Sequence, residues 1–184
     1  MNYIEELKQY VYNCKRCRLA QRRKNVVFGE GNINAKLMLI GEGPGEEEDN
    51  TGRPFVGKAG KLLDKMLEAI NIKREDVYIA NIVKCRPPNN RVPFDDEAKA
   101  CIVYLRKQVA IVKPKIIVCL GSTAARYVID ESIKITRDRG VWYKKGDFYI
   151  IATFHPAALL RDESKKKFAW EDLKKIKAMY ETLL

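Results

Sequence analysis

The sequence predicts an α/β fold, a mostly parallel sheet covered on both sides by helices. Three observations carry that expectation. Short runs dominated by apolar residues, at 36–41, 76–85 and 115–121, have the length and composition of buried strands. Segments with apolar residues at helical spacing lie between them, and glycine or proline clusters punctuate the joins.

Taken in order, the first element is a helix over 2–13, with Ile4, Leu7, Tyr10 and Val11 on one face and Asn2 as its cap. A basic, irregular stretch follows, NCKRCRLAQRRKNVVFGEGN. KLMLIG (36–41) is the first strand and ends in glycine. GKAGKLLDKMLEAINI then sets Leu62, Leu63, Met66, Leu67 and Ile70 on one helical face. DVYIANIVKC (76–85) is the second strand. RPPNNRVP must be loop, because its prolines can join neither a ladder nor a helix interior. DDEAKACIVYLRKQVAIV is a helix capped by Asp95 or Asp96, KIIVCLG (115–121) a third strand, and STAARYVI a short helix with Ser122 as cap. GVWYKKGDFYIIATFHP reads as a hairpin turning at Gly146–Asp147, its second arm entering the core. A closing helix turns Leu173, Ile176, Tyr180 and Leu183 inward. No repeat, linker or low-complexity tract interrupts the chain, so one domain over 1–184 is expected.

Composition narrows the class. No apolar run approaches the roughly 20 residues of a membrane span, and the N-terminus has no apolar leader. A cytoplasmic protein with no membrane partner is expected. The formal charge is +11, from 35 basic and 24 acidic residues, which favours a polyanionic partner such as nucleic acid. Five cysteines in such a chain argue against a disulfide framework.

Against that basic background, IGEGPGEEEDNTGRPFVGKAG concentrates acid in a glycine-rich loop. It is no phosphate cradle: Glu46 stands where a dinucleotide fingerprint needs its third glycine, and Gly-Lys is followed by alanine. Gly41, Gly43 and Gly45 still imply a sharp turn and close approach to a ligand. In parallel sheets the working loops lie beyond the C-terminal strand ends. Those ends also carry Asn81, an amide interrupting an apolar strand, and His155, the only histidine. Phe55 sits in the following polar loop, where a ring packs as a lid or stays open for stacking.

Cys14 and Cys17 form a C-x-x-C, while Cys85 and Cys101 are separated by 15 residues. Cys119, inside an apolar strand, reads as a small buried hydrophobe. Four thiols suit zinc or a [4Fe–4S] cluster; the wide second spacing leans toward the cluster and leaves the metal open.

Together GEGPGEEEDNTGRPFVGKAG, NIVKCRPPNNR, LGSTAA and FHPAALLR resemble the iron–sulfur (family 4) uracil-DNA glycosylases of bacteria and archaea, over nearly the whole chain. The resemblance implies a three-layer α/β/α fold with a four-stranded parallel sheet, and hydrolytic removal of uracil from DNA. It assigns Cys14, Cys17, Cys85 and Cys101 to a structural [4Fe–4S] cluster. It places Gly41, Glu42 and Gly43 at the pocket, Phe55 as the stacking ring, Asn81 on the base edge and His155 at the uracil oxygen beside the scissile bond. Glu42 would stabilise the sugar cation and hold or activate water, and Glu48 would crowd the C5 position against thymine's methyl. Leu159 or Leu160 falls where relatives wedge an apolar residue into the duplex. The implied partner is uracil-containing DNA, single- or double-stranded, met by a monomer associated with the nucleoid through DNA. Contact with a replication clamp has no readable signature. Two alternatives stand beside this reading: a glycosylase of the same fold preferring another damaged base, and a non-catalytic DNA-binding module built on a four-cysteine metal site.

Overall fold

A computed structural model describes residues 3–183. Among the described residues the sheet has six strands, two more than expected. They are β1 (Glu30–Gly31), β2 (Leu37–Gly41), β3 (Tyr78–Asn81), β4 (Ile116–Leu120), β5 (Trp142–Lys145) and β6 (Phe148–Thr153), in the order β1-β3-β2-β4-β6-β5. The inner four run parallel and the two edges pair antiparallel. The extra pair has local causes. β5 is the first arm of the expected hairpin, folded back at Gly146, whose φ of 60° suits glycine. β1 is two residues long, too short to leave a periodic signal.

Helices fill both faces. α1 (Tyr3–Tyr12), α4 (Asp95–Val112) and α5 (Ser122–Val128) pack with Met38, Ile40, Ala80, Ile117 and Ala152. On the other face α3 (Lys58–Ala69), α7 (Pro156–Arg161) and α8 (Lys166–Thr182) pack with Leu39, Ile79, Val118 and Ile151. Alternate residues of each strand supply the two cores, as the period of two requires. Short helices α2 (Glu46–Thr51) and α6 (Ile135–Asp138) ride on the loops. α2 was not anticipated, since the acidic run carries no apolar stripe.

Several boundaries differ from expectation. The second strand stops at Asn81, and Ile82 and Val83 instead donate to the carbonyls of Gly41 and Glu42 (2.9 and 3.1 Å). Phe94, not Asp95 or Asp96, occupies the cap of α4: the Glu97 carboxylate reaches back to accept the Phe94 N–H (2.8 Å), leaving both aspartates in the first turn. Gly121, not Ser122, caps α5, because the chain turns there with φ 90° and a Cβ would lie 2.9 Å from that of His155. Tyr10 faces solvent on α1, whereas Ile4, Leu7 and Val11 are buried. The Asn2 cap lies outside the described residues.

Candidate active site

The C-terminal ends of the inner strands open onto one cleft of about 780 Å³. Glu42, Gly43, Glu48, Phe55, Asn81 and His155 all line it, so residues spread over more than a hundred positions meet at one wall. Gly41 sits just behind. Parallel pairing sets it beside Asn81, and a Cβ there would lie 2.4 Å from Asn81 Oδ1 and 2.6 Å from the Phe55 ring. Only glycine lets amide and ring close on this strand end. A cleft of this size suits a ligand larger than a free base.

Asn81 is 1% exposed, and its Oδ1 has no hydrogen-bond partner among the described residues. A buried acceptor left unpaired costs about 1–3 kcal/mol unless a ligand supplies the donor. Phe55 holds a left-handed backbone (φ 50°), rare for an aromatic residue. Gly60 makes room for it: a Cβ there would fall 2.0 Å from the Phe55 carbonyl oxygen. Glu48 fixes the same loop. Its Oε1 accepts the N–H groups of Val56 and Gly57 (both 2.9 Å), and its Oε2 that of Gly45 (3.1 Å). The carboxylate thereby ties the ring's loop to the glycine-rich turn.

His155 caps α7, its Nδ1 accepting the Ala157 N–H (3.0 Å). That bond leaves the neutral ring's proton on Nε2. Burial, reinforced by the nearby Arg161 charge and partly opposed by Glu48, lowers its pKa from the usual 6.5 to about 4. The imidazole is therefore a neutral donor at physiological pH. Its ring lies 5.5 Å from that of Phe55, tilted by 31°. Glu42 accepts a hydrogen bond from the Thr123 hydroxyl. Thr123 escaped the sequence reading although the LGSTAA stretch contained it, because a threonine in a short helix carries no distinct signal. Arg91, Arg161 and Lys165, also unassigned beforehand, line the cleft as cations.

The four thiols form a second cavity. Cys14, Cys17, Cys85 and Cys101 line it together with Arg23, Lys84 and Tyr104. Arg23 donates to Cys85 Sγ (3.4 Å), the Tyr104 hydroxyl to Cys14 Sγ (3.1 Å) and the Lys84 N–H to Cys101 Sγ (3.3 Å). Burial pushes the Cys101 thiol up to about 12 and raises that of Cys85. Among the described residues no three His, Cys, Asp or Glu side chains are grouped to hold a single metal ion. Cys119 is buried within its strand, away from the four. Leu159 belongs to the core at 2% exposure, whereas its neighbour Leu160 is 47% exposed.

The α/β sheet's strand ends bring a carboxylate, a neutral histidine and an amide with an unpaired buried oxygen around one cleft. Comparison with known families shows that the chain belongs to the Uracil DNA glycosylase superfamily, whose pattern matches residues 28–174. Within that superfamily its relatives include type-4 uracil-DNA glycosylases. It is 47% identical to that of Thermotoga maritima over 95% of this chain and 93% of the other. It is 46% identical to that of Sulfurisphaera tokodaii (97% and 86%), and 41% identical to that of Archaeoglobus fulgidus (96% and 92%).

Proposed function

We propose that this chain, as a single domain, excises uracil from DNA by hydrolysing its N-glycosidic bond, releasing the base and leaving an abasic site. The observation that carries this reading is the unpaired Oδ1 of Asn81 at the cleft wall, beside the Phe55 ring. A flipped base stacks on the ring. Asn81 then accepts from uracil N3–H through Oδ1 and donates to O4 through its amide nitrogen. Cytosine presents the opposite pattern at both atoms, so binding it would leave buried groups unpaired, which discriminates by roughly 10⁴-fold or more.

Cleavage puts negative charge on the departing base and positive charge on the sugar. His155, neutral and carrying its proton on Nε2, donates to uracil O2 as charge builds there, an effect typically worth about 3 kcal/mol. Glu42, held by Thr123, stabilises the sugar cation and holds the attacking water. Leu160 is the residue that enters the duplex, since its neighbour Leu159 is committed to the core. Arg91, Arg161 and Lys165 face the phosphates.

Cys14, Cys17, Cys85 and Cys101 hold a [4Fe–4S] cluster. The cavity wall offers four sulfurs, the donor set such a cluster takes, with hydrogen-bond donors on three of them. When bound, the cluster cross-links the N-terminal segment to the 85–101 region. The test of the whole reading is incubation with a uracil-containing oligonucleotide followed by alkaline cleavage at abasic sites. Strand scission at the uracil position is expected; an intact strand in single- and double-stranded contexts would overturn it.

A further inference from the structure

Lys84 stands between the two cavities and has no part in the reaction above. Its side chain is 1% exposed, and its ammonium donates to neutral acceptors, the carbonyl of Asn81 (3.0 Å) and Oε1 of Gln108 (2.6 Å). Gln108 is itself fully buried and anchored, its Nε2 donating to the Phe28 carbonyl (2.8 Å) and the Tyr78 hydroxyl (3.1 Å). Burying an ammonium is expensive, and a merely structural filler would be apolar.

The rest of the residue faces the thiols. Its N–H donates to Cys101 Sγ (3.3 Å), its carbonyl accepts from Val27 (2.8 Å), and Cys85 follows directly. Between Asn81 and Lys84, the amides of Ile82 and Val83 bond to the carbonyls of Gly41 and Glu42. Residues 81–85 therefore run from the cleft wall, past the glycine-rich loop, to the cysteine cavity. The Lys84 side chain folds back along this segment and fastens its start.

We propose that Lys84 is a positioning residue for base recognition, coupling the order of the four-cysteine site to the orientation of Asn81. This rests on the base-reading role given to Asn81 above. The peptide plane after Asn81 is held on its N–H side by the Gly41 carbonyl (2.9 Å), and the Lys84 ammonium on its carbonyl holds the other side. The side-chain Oδ1, unpaired before a base arrives, is aimed from the backbone rather than by a neighbour of its own.

The test is Lys84→Met in the full chain with its metal site loaded, which keeps most of the side-chain length and removes the donors. Iron and sulfide content should stay at the wild-type value. Inhibition by free uracil should weaken about tenfold, the scale of a lost buried charge-assisted hydrogen bond. Amide exchange at Ile82 and Val83 should accelerate by a similar factor, while affinity for undamaged DNA holds. Wild-type protein stripped by chelator should show the same acceleration at those two amides. Uracil inhibition and exchange both within twofold of wild type would overturn the proposal, as would equal losses of uracil and undamaged-DNA binding. Should Lys84→Met fail to fold, the comparison of loaded and stripped wild-type protein decides: unchanged exchange at Ile82 and Val83 on stripping would overturn the coupling. If the wild type releases no uracil, the excision reading fails separately, and the exchange measurements still decide whether the cysteine site is tied to residue 81.

Discussion

At Nδ1 of His155 the Ala157 N–H fixes which nitrogen carries the proton, and burial keeps the ring neutral. Its folded pKa of about 4 lies below the ordinary 6.5. Between those values the unfolded chain binds a proton that the folded chain refuses. This residue's effect on stability is therefore absent above about pH 6.5 and grows as pH falls through the window, reaching a loss of up to about 3 kcal/mol below pH 4. Urea unfolding should show most of that loss between pH 7 and pH 4.5 in the wild type and a smaller one in His155→Gln; equal losses in the two proteins would refute the assignment. His155→Ala should lower turnover by about 10²- to 10³-fold, read from single-turnover excision. Asn81→Asp should gain cytosine release, because a protonated carboxyl donates to N3 and accepts from N4. Product analysis on a cytosine-containing strand checks it, with background release as the adverse result.

The loop between α2 and α3 depends on glycine and on one carboxylate. Gly60→Ala sets a Cβ against the Phe55 carbonyl. It should cost roughly 1–3 kcal/mol of stability and displace the stacking ring, raising KM for uracil-DNA, as melting and steady-state kinetics would register. On α7 the exposed Leu160 and buried Leu159 separate two roles. Leu160→Ala should slow excision from duplex DNA about tenfold and from single strands far less, since only a duplex must be unstacked. A similar fall on both substrates would remove the wedge assignment. At this scale the sequence was read well where periodicity was strong, as in α3, where Leu63, Met66 and Leu67 are buried as expected. It was read less well at ends. The caps of α4 and α5 moved by one residue because Glu97 and Gly121 act through geometry that a list of favoured cap residues omits.

Across the whole molecule the charge of +11 coexists with an acidic turn at the cleft. In the proposed reaction the two serve different parts of one substrate: acid faces a sugar that becomes cationic, and the basic surface meets the phosphates. Affinity for DNA should fall linearly in logarithm with salt, and a flat response between 50 and 200 mM would remove the electrostatic argument. No helix among the described residues is long and apolar enough to cross a membrane.

The sequence by itself determined the α/β class, the inner parallel strands and the hairpin, because continuous apolar runs and an apolar period of 3.6 are local properties of the chain. It also named Glu42, Gly43, Asn81 and His155 of the cleft, since they sit at strand ends that the pattern exposes, whereas Glu48 came only with the resemblance and Thr123, Arg91, Arg161 and Lys165 were not assigned. Only the tertiary structure decided that Glu48 fastens the Phe55 loop, that Thr123 meets Glu42, that Leu159 is core and Leu160 is not, and that Lys84, on the wall of the cysteine cavity, bonds the Asn81 carbonyl. Each of these is a contact between segments distant in the chain or a choice between adjacent side chains. Such contacts follow from the direction in which packed backbones point, and periodicity along one strand or helix does not carry that information.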